Sequence, residues 1–266
     1  MVSKRTVIIS TAVLVSLCSF VLGVRGQGPI ESLIEASRSG DVTLVKKLLD
    51  AGGNPNARDG RDREGSTVLM VAALAGQTEV VHTLIEHKAN VQAKTAKGRT
   101  ALMWAAYGDH ADTVRALLDG GALVNAQDDV GATALFYALS GPYPATIQSL
   151  LAARDVDVNL RQADGASPLM LAVGSGDVRI VKALLDKGAD PNSANKRGHT
   201  VLMFAAGKGK LDVVKALLEK GAKVDAEDQE HATALMLAQQ QGHIDVVKVL
   251  RAKKAGNKAE GDDTWP

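Results

Sequence analysis

The chain has one cysteine in 266 residues, Cys18, and it lies inside the N-terminal apolar segment. A chain beginning at Gln27 contains none. That excludes a disulfide framework, a thiol nucleophile and a cysteine metal site. Aromatic residues are also scarce, at 3%. Charge of one sign is lacking too. Of 31 Lys and Arg against 30 Asp and Glu, three (Lys4, Arg5 and Arg25) lie in residues 1–26, which leaves 28 against 30. A net of −2 argues against a general nucleic-acid-binding surface. About 240 residues rich in apolar positions can still build a core without cross-links.

Catalytic patterns are missing as well. His82 and His87 lack the i, i+4 spacing of a zinc-binding helix. His110, His199, His231 and His243 are scattered, and His231 stands where a glycine recurs elsewhere. Gly207-Lys208-Gly209 reads as a turn between helices, not a phosphate cradle. No cofactor and no metal is expected, and the chain is not expected to be an enzyme.

The one long apolar run is Val7 to Val24, preceded by Lys4 and Arg5 and followed by Val24-Arg25-Gly26. Residues 1–26 read as a secretory signal peptide with cleavage before Gln27. The alternative is an uncleaved membrane anchor, because the run is near the lower length for a span. The expected location is therefore exported, periplasmic or secreted, with membrane attachment only if the segment is retained.

What is present is repetition. A glycine recurs at Gly65, Gly98, Gly131, Gly165 and Gly198, with His231 in sixth place. Two residues on come Thr67, Thr100, Thr133, Ser167, Thr200 and Thr233, at steps of 33, 33, 34, 33 and 33. Leu84-Ile85, Leu117-Leu118, Leu150-Leu151, Leu184-Leu185 and Leu217-Leu218 keep the same beat. A fixed step of this size marks a stacked-repeat architecture, in which neighbours bury one another's apolar faces. Each Thr or Ser is placed to cap the helix that follows, and Pro168 fits a first helical turn.

Ser167-Pro168-Leu169-Met170-Leu171-Ala172 and Thr200-Val201-Leu202-Met203-Phe204-Ala205 carry a specific resemblance. The chain resembles the ankyrin repeat family from about Pro29 to Ala255. The resemblance, in a form common among bacterial members, implies an all-α solenoid of antiparallel helix pairs with a β-turn finger between repeats. The expected units are an N-terminal cap at 29–60, repeats at about 63–95, 96–128, 129–162, 163–195, 196–228 and 229–255, and a disordered tail at 256–266. Seven units stack into an arc of about 60–70 Å. The family usually has His where this chain has Met70, Met103, Met170, Met203 and Met236, with Phe136 in the remaining repeat. That column is expected in the core, with an oxidation-sensitive ladder as the functional alternative.

Irregularities mark candidate contact points. Asn56 to Gly65 spans nine residues where later fingers take six, and the excess lies in the alternating charges of Arg58 to Glu64. That segment is either a longer solvated turn or a contact loop. Arg154-Asp155-Val156 replaces a Gly-Ala closure and adds one residue, so a slight kink is expected there. Trp104, Tyr107, Phe136, Tyr137 and Tyr143 fall within 40 residues. Trp104, Tyr137 and Phe204 share one column and are expected half in the core. Tyr107 ends its helix, where the resemblance implies a concave binding surface, and Tyr143 sits in a stiff Gly141-Pro142-Tyr143-Pro144 turn. The candidate partner-contact residues are Arg61, Arg63, Lys97, Arg99, Tyr107, Tyr143, Arg197 and Lys208. The expected function is a monomeric protein-binding module or scaffold. Alternatives are a membrane-tethered scaffold, a regulator or inhibitor of an exported enzyme, and a secreted effector.

Overall fold

The computed structural model describes residues 28–141 and 143–261. Within them lie fourteen helices, paired in chain order. The first helices of successive units are α1 (Pro29–Ser39), α3 (Val68–Leu74), α5 (Ala101–Tyr107), α7 (Ala134–Leu139), α9 (Pro168–Ser175), α11 (Val201–Gly207) and α13 (Ala234–Gln240). The second helices are α2 (Val42–Asp50), α4 (Thr78–Glu86), α6 (Ala111–Asp119), α8 (Pro144–Leu151), α10 (Val178–Asp186), α12 (Leu211–Glu219) and α14 (Ile244–Gly261). First helices stack on first helices and second on second, so two parallel rows run along the molecule. The expected all-α repeat solenoid is what the chain forms. The candidate signal or anchor segment, 1–26, lies outside the described residues. Among those described, no helix is long and apolar enough to cross a membrane.

The core is a strip repeated along the stack. Leu69, Met70, Ala72 and Ala73 of α3 are essentially covered, and so are Leu102, Met103, Ala105 and Ala106 of α5 and Leu202, Met203, Ala205 and Ala206 of α11. The second helices contribute Leu84, Leu117, Leu150, Leu184 and Leu217, all at 0% exposure. Paired alanines in α3, α5 and α11 (Ala72-Ala73, Ala105-Ala106 and Ala205-Ala206) let neighbouring helices approach, because a larger side chain would hold them apart.

Capping explains both the recurrent Thr and the methionines. Thr67, Thr100, Ser167, Thr200 and Thr233 each accept from the N–H three residues on. At three of these caps the methionine answers. Thr67 N–H donates to Met70 Sδ at 3.3 Å, Thr100 N–H to Met103 Sδ at 3.4 Å and Thr200 N–H to Met203 Sδ at 3.3 Å. This is the reciprocal box usually closed by Glu or Gln, closed here by a thioether, which can be buried without a charge. At Thr133 the side chain does not cap its helix, and Phe136 has no acceptor to offer in return.

Fingers are tied to fingers by the main chain. Ala96 N–H donates to Glu64 O, Asp129 to Lys97, Ala163 to Val130, Lys196 to Asp164 and Gln229 to Arg197, at 2.8–3.2 Å. Long side chains repeat the link: Arg58 to Lys94 O, Lys94 to Gln127 O, Gln127 to Arg161 O and Arg161 to Ala194 O. A third ladder runs beneath, in which Asn56, Asn125, Asn159 and Asn192 each accept from a main-chain N–H of the next unit. Two or three sets of bonds at each step leave the fingers little freedom to move independently.

Three details differ from expectation. Met236 is 54% exposed where Met70, Met103 and Met203 are at 1%, because the last unit has no following repeat to cover its seam. The tail expected from residue 256 is helical as far as Gly261, since Lys, Ala and Glu extend a helix already nucleated by its packed first turns; residues 262–266 lie outside the described residues. The segment Arg58 to Glu64 is not a simple solvated loop. Asp59 is 5% exposed and ties Arg38 and Arg61, while Asp62 accepts from the N–H groups of Glu64 and Ser66. At the one-residue insertion the seam between α8 and α10 is thin. On the other side of α8, against α6, a cleft of about 720 Å³ lies between Leu118, Leu123, Ser149 and Arg154.

Candidate functional site

The finger joining α2 to α3, the C-terminal end of α1, helix α3 and Trp104 of α5 converge on one cleft. Its volume is about 460 Å³, and Arg38, Asp59, Asp62, Glu64, Met70, Val71, Leu74 and Trp104 line it. The floor is apolar. Leu74 is 41% exposed, unusually for a leucine on a first helix. The walls come from the long finger, which is why its three extra residues matter.

The aromatic residues next to this cleft form a braced set. Tyr107 meets Trp104 edge to face, with centroids 6.1 Å apart at 84°. It meets Tyr137 in the same way, at 6.3 Å and 86°. Tyr137 OH donates to Asp128 Oδ2 at 2.7 Å. Burial and that nearby carboxylate hold the Tyr137 phenol above its ordinary value, so it remains a neutral donor. Tyr107 is thus held from both sides while half its own surface, 52%, faces solvent. A rigid amphipathic side chain offered in this way is what interface hot spots use.

Arg99 organises the polar edge. Its guanidinium lies over the Trp104 ring, with the carbon 4.7 Å from the centroid, and it also bonds Glu64 Oε1. Lys97 Nζ reaches the same oxygen at 3.0 Å. Glu64 Oε2 and Trp104 Nε1 are both buried and have no hydrogen-bond partner among the described residues. Asp59 is pushed up by burial, but the main-chain and guanidinium N–H groups of Arg61 outweigh that and hold it below the usual carboxylate range. The Ser66 hydroxyl and the main-chain N–H groups of Glu64 and Ser66 hold Asp62 down likewise.

Of the eight residues singled out in the sequence, Arg99 and Tyr107 pack against Trp104 of this cleft and Lys97 pairs with its Glu64, while Arg61 and Arg63 belong to its long finger without lining it. Arg61, Arg63 and Lys97 are exposed, whereas Arg99 is partly covered by its two partners. Tyr143 does not join them. It is half-buried at the turn between α7 and α8, with its ring against Gly141. Arg197 and Lys208 are exposed at opposite ends of α11, three units along the stack. Sequence reasoning missed Leu74, Glu64 and Arg38. Leu74 was legible, since it occupies the column of Tyr107; Glu64 and Arg38 come from different units, and no spacing joins them.

The comparisons agree with this architecture. The family model described as "Ankyrin repeats (3 copies)" matches residues 33–128, 120–195 and 169–261. The chain belongs to the ankyrin repeat family. Among solved structures it is similar to the ankyrin repeat domain of Bcl-3, described as a unique member of the IkappaB protein family. That likeness has a TM-score of 0.72 and 29% identity, and covers 84% of this chain and 99% of that one. It is also similar to the human ASB11 ankyrin repeat domain, with a TM-score of 0.69 and 27% identity over 83% of this chain and 96% of that one. Ankyrin repeats mark the chain as a protein–protein interaction module.

Proposed function

We propose that this protein is an exported, non-enzymatic binding module. It holds a folded protein partner on the concave surface made by its fingers and first helices, centred on α3, α5 and α7. The observation that carries this reading is Tyr107, half exposed yet fixed between Trp104 and Tyr137. The finger ladders support it further, because a surface held rigid before binding loses little entropy on binding.

Capture from native extract tests the reading, with the processed protein as bait beside Tyr107→Ala. A protein retained by the first and lost from the second supports the site. If both baits retain the same proteins, the proposed surface is not the one used.

Export rests on Lys4, Arg5 and the apolar run from Val7 to Val24. N-terminal sequencing of the protein from fractionated cells tests it, and a chain starting at Gln27 is the expected result. A full-length chain in the membrane fraction supports the tethered scaffold instead. An intact chain in the cytosol overturns both readings. Inhibition of an exported enzyme, or action on another organism's proteins, would be specialisations of the same surface.

A further inference from the structure

The stack ends on two faces that are the separated halves of one internal seam. In the first unit Leu33, Ile34 and Val45 are buried, because α3 and α4 of the next unit cover them. The same positions of the last unit hold Leu235, Met236 and Val247. There Met236 is exposed and the other two are only partly covered. This set faces the C-terminal end of the stack. The opposite set is Val246 and Leu250, buried in the last unit by the unit before it. Their counterparts in the first unit, Leu44 and Leu48, are only partly covered. In the second unit the same positions, Val80 and Leu84, are buried. Among the described residues nothing lies over either end.

The ends also differ in charge. Residues 29–50 carry Glu31, Glu35, Asp41 and Asp50 against Arg38, Lys46 and Lys47. Residues 244–255 carry Lys248, Arg251, Lys253 and Lys254 against Asp245 alone. Two tails set face to face would oppose like charges, whereas tail on head brings opposite charges together. We infer that the occupant of the C-terminal face is the N-terminal face of a second copy of this chain, seated as a further repeat would be. Every seam inside the chain joins one kind of face to the other, so the contact repeats a packing that the sequence already specifies at each step. It is weaker than an internal seam, because no finger precedes α1 among the described residues to extend the main-chain ladder. The contact is heterologous and leaves one free face at each end, so it grows with concentration and does not close at a dimer. It lies apart from the concave surface around Tyr107, and both can be occupied together.

Sedimentation velocity of the processed protein from about 10 to 500 µM tests this by mass action. The weight-average mass is expected to rise with concentration. Met236→Asp sets a charge in the seam and is expected to weaken association about tenfold or more. Leu48→Lys is expected to do the same from the other end. Both side chains are at least partly exposed in the single chain, so the melting temperature of dilute protein should hold. Should Leu48→Lys lower it, Leu44→Lys takes its place.

Mixing the two variants gives the sharper readout. Each keeps one intact face, so the mixture is expected to form dimers with one chain of each and nothing larger. A protein that stays a single chain throughout the range, indifference to Met236→Asp, or a mixture no heavier than its parts each overturns the inference. So does self-association of the Leu48→Lys variant alone, which would mean tail-to-tail pairing.

Discussion

The guanidinium of Arg99 lies over the ring of Trp104, 4.7 Å from its centroid, while bonding Glu64 of the preceding finger. One side chain therefore ties a finger, a helix and the aromatic set together. Trp104→Phe keeps a ring beneath the cation and removes an Nε1 donor that has no partner, so its cost is expected to stay below about 1 kcal/mol. Trp104→Ala empties a half-buried site and is expected to cost about 3 kcal/mol. Tyr107→Ala, half in solvent, is expected to cost about 1 kcal/mol in stability and to fall mainly on affinity. Urea unfolding of the three variants checks the order. A Tyr107 variant less stable than the Trp104→Ala variant would place the binding residue in the core.

The thioether caps are testable by near-isosteric change. Met103→Leu keeps the volume but leaves Thr100 N–H without its Sδ acceptor, so a loss of about 1 kcal/mol is expected. Met236→Leu touches no such bond and is expected to be neutral. Mild peroxide should oxidise Met236 first and leave the melting temperature unchanged, because only that member of the column is exposed. Peptide mapping with calorimetry decides this, and rapid oxidation of Met70 or Met203 in the native protein would contradict it.

Two finger positions should respond in opposite directions. Gly98 has φ +74°, and a Cβ there would stand 3.0 Å from the main chain of Asp129. Gly98→Ala thus combines left-handed strain with a clash against the next finger, and a loss of more than about 2 kcal/mol is expected. His231 holds φ 60° at the equivalent place in the last finger. Replacing it with glycine is expected to stabilise by about 1 kcal/mol. Denaturant midpoints measured side by side test the pair.

Acid sensitivity is expected from the long finger. Asp59 and Asp62 have carboxyls held below their ordinary values by N–H donors. Their stabilisation is therefore fully present above the unfolded value of about 4 and is lost as pH falls through the lower folded values. On their account the melting temperature should fall below pH 4. Asp62→Asn should be less stable at pH 7 and show a shallower fall. An unchanged slope in that variant would mean that other carboxylates govern the acid limb.

Much of the architecture was legible because a repeat constrains many columns at once. The Gly-x-Thr opening, the paired leucines and the methionine column each report the same period, so the helix pairs, their caps and the covered row followed from spacing. Met236 shows where that logic stops. Its column says buried, but burial comes from the next unit, and the last unit has none. The excess residues of the long finger were visible as an insertion, while the inward turn of Asp59 was not. An alternating-charge segment reads the same whether its acids face water or the chain's own N–H groups.

By itself, the sequence determined an ankyrin stack, its period, its irregular finger and its aromatic middle, because local propensity and nearest-neighbour burial are written at fixed intervals. Only the tertiary structure decided that Lys97, Arg99 and Tyr107 are joined through Glu64 and Trp104 while Tyr143, Arg197 and Lys208 stand apart. Only it decided that Arg61 and Lys97 face outward while pairing with the largely covered Asp59 and Glu64. Those relations join Arg38, Glu64 and Trp104 across three repeats, where side-chain direction and packing act and no periodicity reaches.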